Sequence, residues 1–434
     1  MNEIRSRDRD AVLQSLRAGV VPRVGQHLVQ VGRAAELDAL LKDIERIADG
    51  GAAFRLIVGE YGAGKTFFLN LVRAIALEKK LVVMNADLTP DRRLHATAGQ
   101  ARSLYSELAR STATRSRADG AALPVVVEKF VTNAISEARV TGRPTSDVIQ
   151  EKLSALSELV GGYDFSAVVE IYWKAFGEKD TDGMASAVRW LRGEFGTKTE
   201  ARAALGVREI IDDANMYDQL KLLARFVRLA GYGGLLVCLD EMVNLFKLSN
   251  TQSRNSNYEQ ILRILNDTLQ YAPEGLGFVF GGTLEFLTDS RRGLYSYAAL
   301  ASRLSENSFA RDGRVDLTGP VVRLSSLTPE EFLVLLQKLR NVYACGDPTK
   351  YLLRDEGLIA FMEHCHRRIG EAYFRTPRTT ITSFINLLAV LDQNPGADWR
   401  ALLGEVKVEP DKVPTTLDNV VTTEAGDELA AFKL

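Results

Sequence analysis

The stretch Gly59-Glu60-Tyr61-Gly62-Ala63-Gly64-Lys65-Thr66 carries the clearest chemistry in this chain. It follows the apolar run Phe54-Arg55-Leu56-Ile57-Val58 and runs on through Phe67 into a segment of helical period. In a G-x-x-x-x-G-K-T pattern between strand and helix, the glycines let the backbone wrap a polyphosphate with its N–H groups aimed at the oxygens. The positive end of the following helix adds to the attraction. Lys65 is expected to reach the β- and γ-phosphates and Thr66 to ligate Mg²⁺, so ATP and Mg²⁺ are the expected cofactors.

A second element supplies what such a loop lacks. The run Leu235-Leu236-Val237-Cys238-Leu239 reads as a central buried strand and ends in Asp240-Glu241. Desolvating paired carboxylates is costly, so a strand does not end this way for stability. Beside a phosphate loop, Asp240 would hold the magnesium shell with Thr66, and Glu241 would orient and activate the attacking water. The second carboxylate favours hydrolysis of ATP to ADP and phosphate over transfer to another acceptor. At the end of the next strand, Thr283 follows Gly281-Gly282. It can sense the γ-phosphate or position water there, or it can cap a helix. Positive charge is needed on the transferring phosphoryl group, and Arg291-Arg292, Arg303 and Arg378 are the candidates.

These groups need an α/β scaffold. The chain has 434 residues, enough for two or three domains, with balanced charge (net −2) that gives no global drive toward nucleic acid. No apolar stretch reaches membrane-span length and the N-terminus lacks a signal-peptide core, so no membrane contact is expected. Three cysteines form no paired framework, and the cytoplasm is the expected compartment. His364-Cys365-His366 has side chains diverging at i and i+2 and no second ligand cluster nearby, and reads as the polar end of a helix. Periodicity predicts a helix over Ala34 to Ala48, another over Thr66 to Lys79, strands at 81–86, 276–280 and 321–324, and a helix from Tyr258 to Tyr271. Thr328-Pro329-Glu330-Glu331 has the cap, proline and acids of a helix start. The resulting organisation is an N-terminal helical segment (1–30), a parallel-sheet ATPase core (31–325) with a helical insertion (100–215), a helical lid (326–395) and an acidic tail (396–434).

The order of Val31-Gly32-Arg33, Gly59 to Thr66, Leu235 to Glu241, Thr283, Ser302-Arg303 and Pro377-Arg378 resembles an AAA+ ATPase. The resemblance implies that Val31, Gly32 and Arg33 border the adenine, and that Arg303 acts as an arginine finger toward a neighbouring subunit. It makes Arg378 a second sensor in the lid, and a homo-oligomer follows from the finger. More narrowly, Gly281 to Leu287, Asp289 to Tyr297 and Ala299 to Leu304 resemble the bacteriophage-exclusion (BREX) ATP-binding family, BrxD type. That likeness covers roughly residues 25 to 395. It implies work in antiphage defence on or near DNA, with a helicase or another defence-system protein as partner. Where AAA+ proteins often carry Asn at the first sensor, this chain offers Thr283 or Glu285, and Arg291-Arg292 compete with Arg303 for the finger role. The alternative is a slow nucleotide-dependent switch or scaffold, STAND-like, that recruits a nuclease or helicase. A phosphoryl-transferring kinase is disfavoured by Asp240-Glu241.

Overall fold

The computed structural model describes residues 4–270, 274–310, 315–405 and 409. The fold is α/β. Its strands are β1 (Ala53–Gly59), β2 (Val82–Asp87), β3 (Leu235–Asp240), β4 (Leu276–Thr283) and β5 (Val321–Leu324), forming one parallel sheet in the order β2-β3-β4-β1-β5. All seven residues of β1 are buried, as expected for an apolar run inside a sheet covered by helices. The chain divides into two compact units, the first made of Met1–Leu37, Ile57–Val72 and Val322–Thr415, the second of the remainder.

The first unit is mainly helical. Ser6–Arg17, Pro329–Tyr343, Asp355–Ile369 and Arg378–Gln393 each bury one apolar stripe. Val12, Phe332, Leu336, Leu339, Phe361, Phe384 and Leu388 form the centre, with Phe361 and Phe384 rings 5.2 Å apart. Pro329–Tyr343 starts in a full capping box: Thr328 accepts from the Glu331 N–H, and Glu331 accepts from the Thr328 N–H at 3.0 Å. His364 and Cys365 are buried, unlike the polar end expected from their types. Leu358, Phe361 and Cys365 recur at helical spacing, which turns the thiol into this core.

In the second unit, helices Gln100–Arg110, Leu123–Thr141, Thr145–Ser157, Gly162–Glu178, Thr181–Leu191, Lys198–Leu205 and Met216–Leu229 fill the chain between β2 and β3. Phe165 and Phe226 hold this block together, their rings 5.4 Å apart, with Phe130 and Trp190 against them. The long helix between β3 and β4 begins at Thr251, earlier than periodicity predicts, because Asn250 caps it by accepting from the Ser253 N–H. Its expected end at Tyr271, and the tail beyond the short helix Trp399–Glu405 apart from Glu409, lie outside the described residues.

One buried ion pair fixes the start of β1. Arg55 binds Asp43 with both nitrogens, at 2.5 and 3.2 Å, and also donates to the carbonyls of Leu317 and Gly319. Arg55→Ala leaves buried Asp43 with the longer contact to half-exposed Arg46 (3.8 Å) in place of its bidentate partner, an expected loss of about 3 kcal/mol. Urea unfolding checks this: Asp43→Leu combined with Arg55→Met should recover most of the loss, and an unchanged midpoint in Arg55→Ala would show the pair to be inert.

Candidate functional site

Within the first unit, β1 ends at Gly59 and the chain turns through Glu60, Tyr61, Gly62, Ala63 and Gly64 into helix Lys65–Glu78. Two glycines are required for different reasons. Gly62 and Gly64 both have left-handed φ, +82° and +81°. A Cβ at Gly62 would also lie 3.0 Å from the Thr376 Cα, whereas at Gly64 nothing lies within 4 Å. Gly62 thus admits a neighbour, and Gly64 serves the turn alone. The Lys65 ammonium donates to the carbonyl oxygens of Gly59 (3.0 Å) and Glu60 (2.8 Å), which fixes it over the loop. Thr66 is exposed in the first turn of the helix, while Phe67 packs partly against the helical core.

Two other sequence-predicted elements meet this loop inside the same unit. Thr376, next to Pro377-Arg378, packs on Gly62. Arg33, itself at φ +66°, donates to the Ala63 carbonyl at 3.3 Å and to the Ser325 carbonyl, and pairs with Glu36 at 3.7 Å. Its neighbour Gly32 (φ +63°) sits against the Glu331 carboxylate, and Val31 is half-buried beside the helical core. Arg378 opens helix Arg378–Gln393, exposed, its aliphatic stem alongside Gly19. The segment expected to border adenine and the expected lid sensor therefore both adjoin residues that shape the loop Gly59 to Thr66.

The second unit carries the acids. Asp240 ends β3, and Glu241 follows with φ +56°, an uncommon and strained conformation for a side chain of its size. The Glu241 N–H donates to Asp240 Oδ1 at 2.8 Å, and the Asp240 carbonyl accepts from the Leu88 N–H at 3.0 Å. Glu241 is exposed. Thr283 ends β4 and caps the short helix Leu284–Thr288, accepting from the Phe286 N–H at 3.2 Å. β4 runs three residues beyond the predicted Phe280, because Gly281 and Gly282 continue the strand and Gly282 leaves room for the Phe286 ring.

Among the arginines, Arg292 donates to the Leu248 carbonyl at 3.0 Å and lies over the Phe246 ring, while Arg291 is exposed. Arg303 is exposed and donates to Asn266 Oδ1 (2.7 Å) and the Ala299 carbonyl (3.1 Å).

Sequence reasoning missed Asp87. The parallel register of β2 and β3 sets Asp87 opposite Asp240, so two carboxylates share adjacent strand ends. Burial, and then the charge of Asp240, raise the Asp87 pKa above the ordinary carboxylate value, with Arg92 opposing. Only an acid at the end of an apolar run was visible in the sequence; the register that pairs it with Asp240 was not.

With this geometry in place, comparison with known proteins decides the family. Residues 4–407 match the BREX system ATP-binding protein family BrxC/D. The chain belongs to that family. Membership makes it an ATP-binding protein of a phage-exclusion system and implies other proteins of that system as partners. No curated protein matches it. Among the described residues, no helix is long and apolar enough to cross a membrane.

Proposed function

We propose that this family member is of BrxD type, a magnesium-dependent AAA+ ATPase that assembles with copies of itself and acts on or near DNA with a helicase or another defence-system protein. The observation that carries the reading is the phosphate loop itself, strand to helix, braced by Arg33 on Ala63 and by Thr376 beside Gly62. The loop N–H groups and Lys65 hold the β- and γ-phosphates. A magnesium ion bound by Thr66 and Asp240 would neutralise phosphate charge; hydroxyl and carboxylate oxygens suit that hard cation. Glu241 takes the proton of the water that attacks the γ-phosphorus, and the β–γ bridging oxygen leaves with ADP. Thr283 and Arg378 report the γ-phosphate to the sheet edge and to the lid. Arg303 reaches a neighbouring subunit's nucleotide; its exposure favours it over Arg292, which is half-buried.

A second reading, the slow STAND-like switch, draws on the two carbonyl bonds that Lys65 already makes within its own loop. Nucleotide must displace them, which suits a protein that binds once and holds.

Steady-state phosphate release, with and without double-stranded DNA, separates the two. Turnover stimulated by DNA supports the ATPase working on DNA, and slow, DNA-indifferent turnover supports the switch. For the finger, mixing Arg303→Ala with Lys65→Ala protein should restore activity that neither has alone, because each supplies what the other lacks. No recovery despite verified co-assembly would move the role to Arg291 or Arg292.

A further inference from the structure

Away from the acids, at the opposite ends of the same strands, the second unit has an open groove of about 740 Å³. Lys80 precedes β2 and Tyr232 lies just before β3, so the groove sits at the strand starts, roughly 20 Å along the strands from Asp87 and Asp240. The remaining wall comes from Thr114, Arg115 and Ser116 and from the face of helix Leu123–Thr141 that carries Val125, Glu128, Lys129 and Thr132.

The wall is built rather than incidental. Ala113 exchanges backbone hydrogen bonds with Val83 at the free edge of β2 (2.8 and 3.0 Å), and Thr114 and Arg117 close a tight turn that displays Arg115 and Ser116. Lys129 lies 3.7 Å above the Tyr232 ring and, among the described residues, has only the Gly231 carbonyl, at 3.4 Å, as acceptor. Lys80 is held at φ +63° by the turn into β2. Among the described residues neither lysine has a carboxylate at ion-pair distance. Burial, and then the charge of Lys80, lower the Lys129 pKa. Arg115 pairs with Glu78 at 3.0 Å, but both are largely exposed and such a pair is weak and readily exchanged. Glu128 is the one acid in the lining.

We propose that this groove is a phosphate-ester site that seats a nucleic-acid backbone through Lys80, Arg115 and Lys129, with the exposed Ser116 hydroxyl as a further donor. Lysine, arginine and hydroxyl side chains are the groups that hold phosphates, and no amide side chain lines the groove to read a base edge. Binding is therefore sequence-independent and steeply salt-dependent. The site deepens the DNA part of the reading above and does not depend on hydrolysis.

The test is fluorescence anisotropy of a labelled duplex and a labelled single strand with the full chain, across a salt series starting at about 50 mM. Lys80→Gln with Lys129→Gln should weaken binding about tenfold or more and flatten the log–log salt slope by about 1.8, equally for unrelated sequences. ATP affinity in the double variant should equal that of the unaltered chain, which shows that the fold is intact. Double-variant binding equal to that of the unaltered chain would overturn the proposal, and so would absence of any nucleic-acid binding at low salt. Inorganic pyrophosphate, titrated against Lys65→Ala protein so that the loop does not compete, covers the other phosphate source. Pyrophosphate binding that needs Lys80 and Lys129, without duplex or strand binding, would make this a small-phosphate site and overturn the nucleic-acid assignment. Groove-dependent DNA binding without stimulated turnover would sink the coupling of DNA to hydrolysis and leave the groove standing.

Discussion

Lys65→Ala is expected to lower ATP affinity by at least ~100-fold, since two charge-assisted phosphate contacts are worth about 3 kcal/mol together. The structure makes the side chain's place specific: its ammonium is already centred over the loop by the Gly59 and Glu60 carbonyls at 3.0 and 2.8 Å. A γ-phosphate that takes the place of those carbonyls gains a nearby cation and a helix N-terminus together. Isothermal titration with ATP decides it, alongside a thermal melt to show that the helix Lys65–Glu78 still folds. Retained affinity in a folded variant would remove the loop from the nucleotide site.

Glu241→Gln is expected to keep ATP affinity and lose turnover by roughly 10²–10⁴-fold, the usual contribution of a positioned general base. The backbone provides a second, independent check. Glu241 sits at φ +56°, which costs an L-residue about 1–2 kcal/mol, and that strain persists in the glutamine variant. Glycine relieves it, set against about 0.5–1 kcal/mol of added freedom in the unfolded chain. Glu241→Gly should therefore melt no lower than the unaltered protein, and up to about 1 kcal/mol more stable, while turnover disappears. Stability and activity moving apart is the signature of strain kept for chemistry. Normal turnover in Glu241→Gln would refute the role, and a marked loss of stability in Glu241→Gly would mean that the carboxylate serves the fold.

The parts of the site legible in the sequence are those governed by neighbours in the chain. The loop glycines, the Thr328 capping box and the apolar run ending in Asp240-Glu241 each follow from local sterics, local hydrogen bonding or short-range period, and the five predicted strands appear in the sheet. What sequence did not disclose depends on long-range partners. Asp87 faces Asp240 only because β2 and β3 pair in that register, and Cys365 is a core residue only because its helix packs by that stripe. Arg33 shows the same limit from another side. It is one of three residues likened to an adenine border, yet its guanidinium is spent on the carbonyls of Ala63 and Ser325, the latter 292 positions away. The lysine groove likewise draws on segments around 80, 115, 129 and 232, separated by helices whose mutual packing no local pattern specifies.

The order in which the first unit draws its pieces from the chain has a consequence for biosynthesis. Met1–Leu37 and Ile57–Val72 emerge early, but their partners in Val322–Thr415 follow only after the whole of Arg73–Val321. Domains generally complete as units while chains grow from the N-terminus, and distant pairings form late. The turn at Gly62 thus waits on the ribosome for Thr376, and Ala63 waits for the segment that carries Ser325. A truncated product would contain the whole nucleotide motif yet lack the braces that shape it.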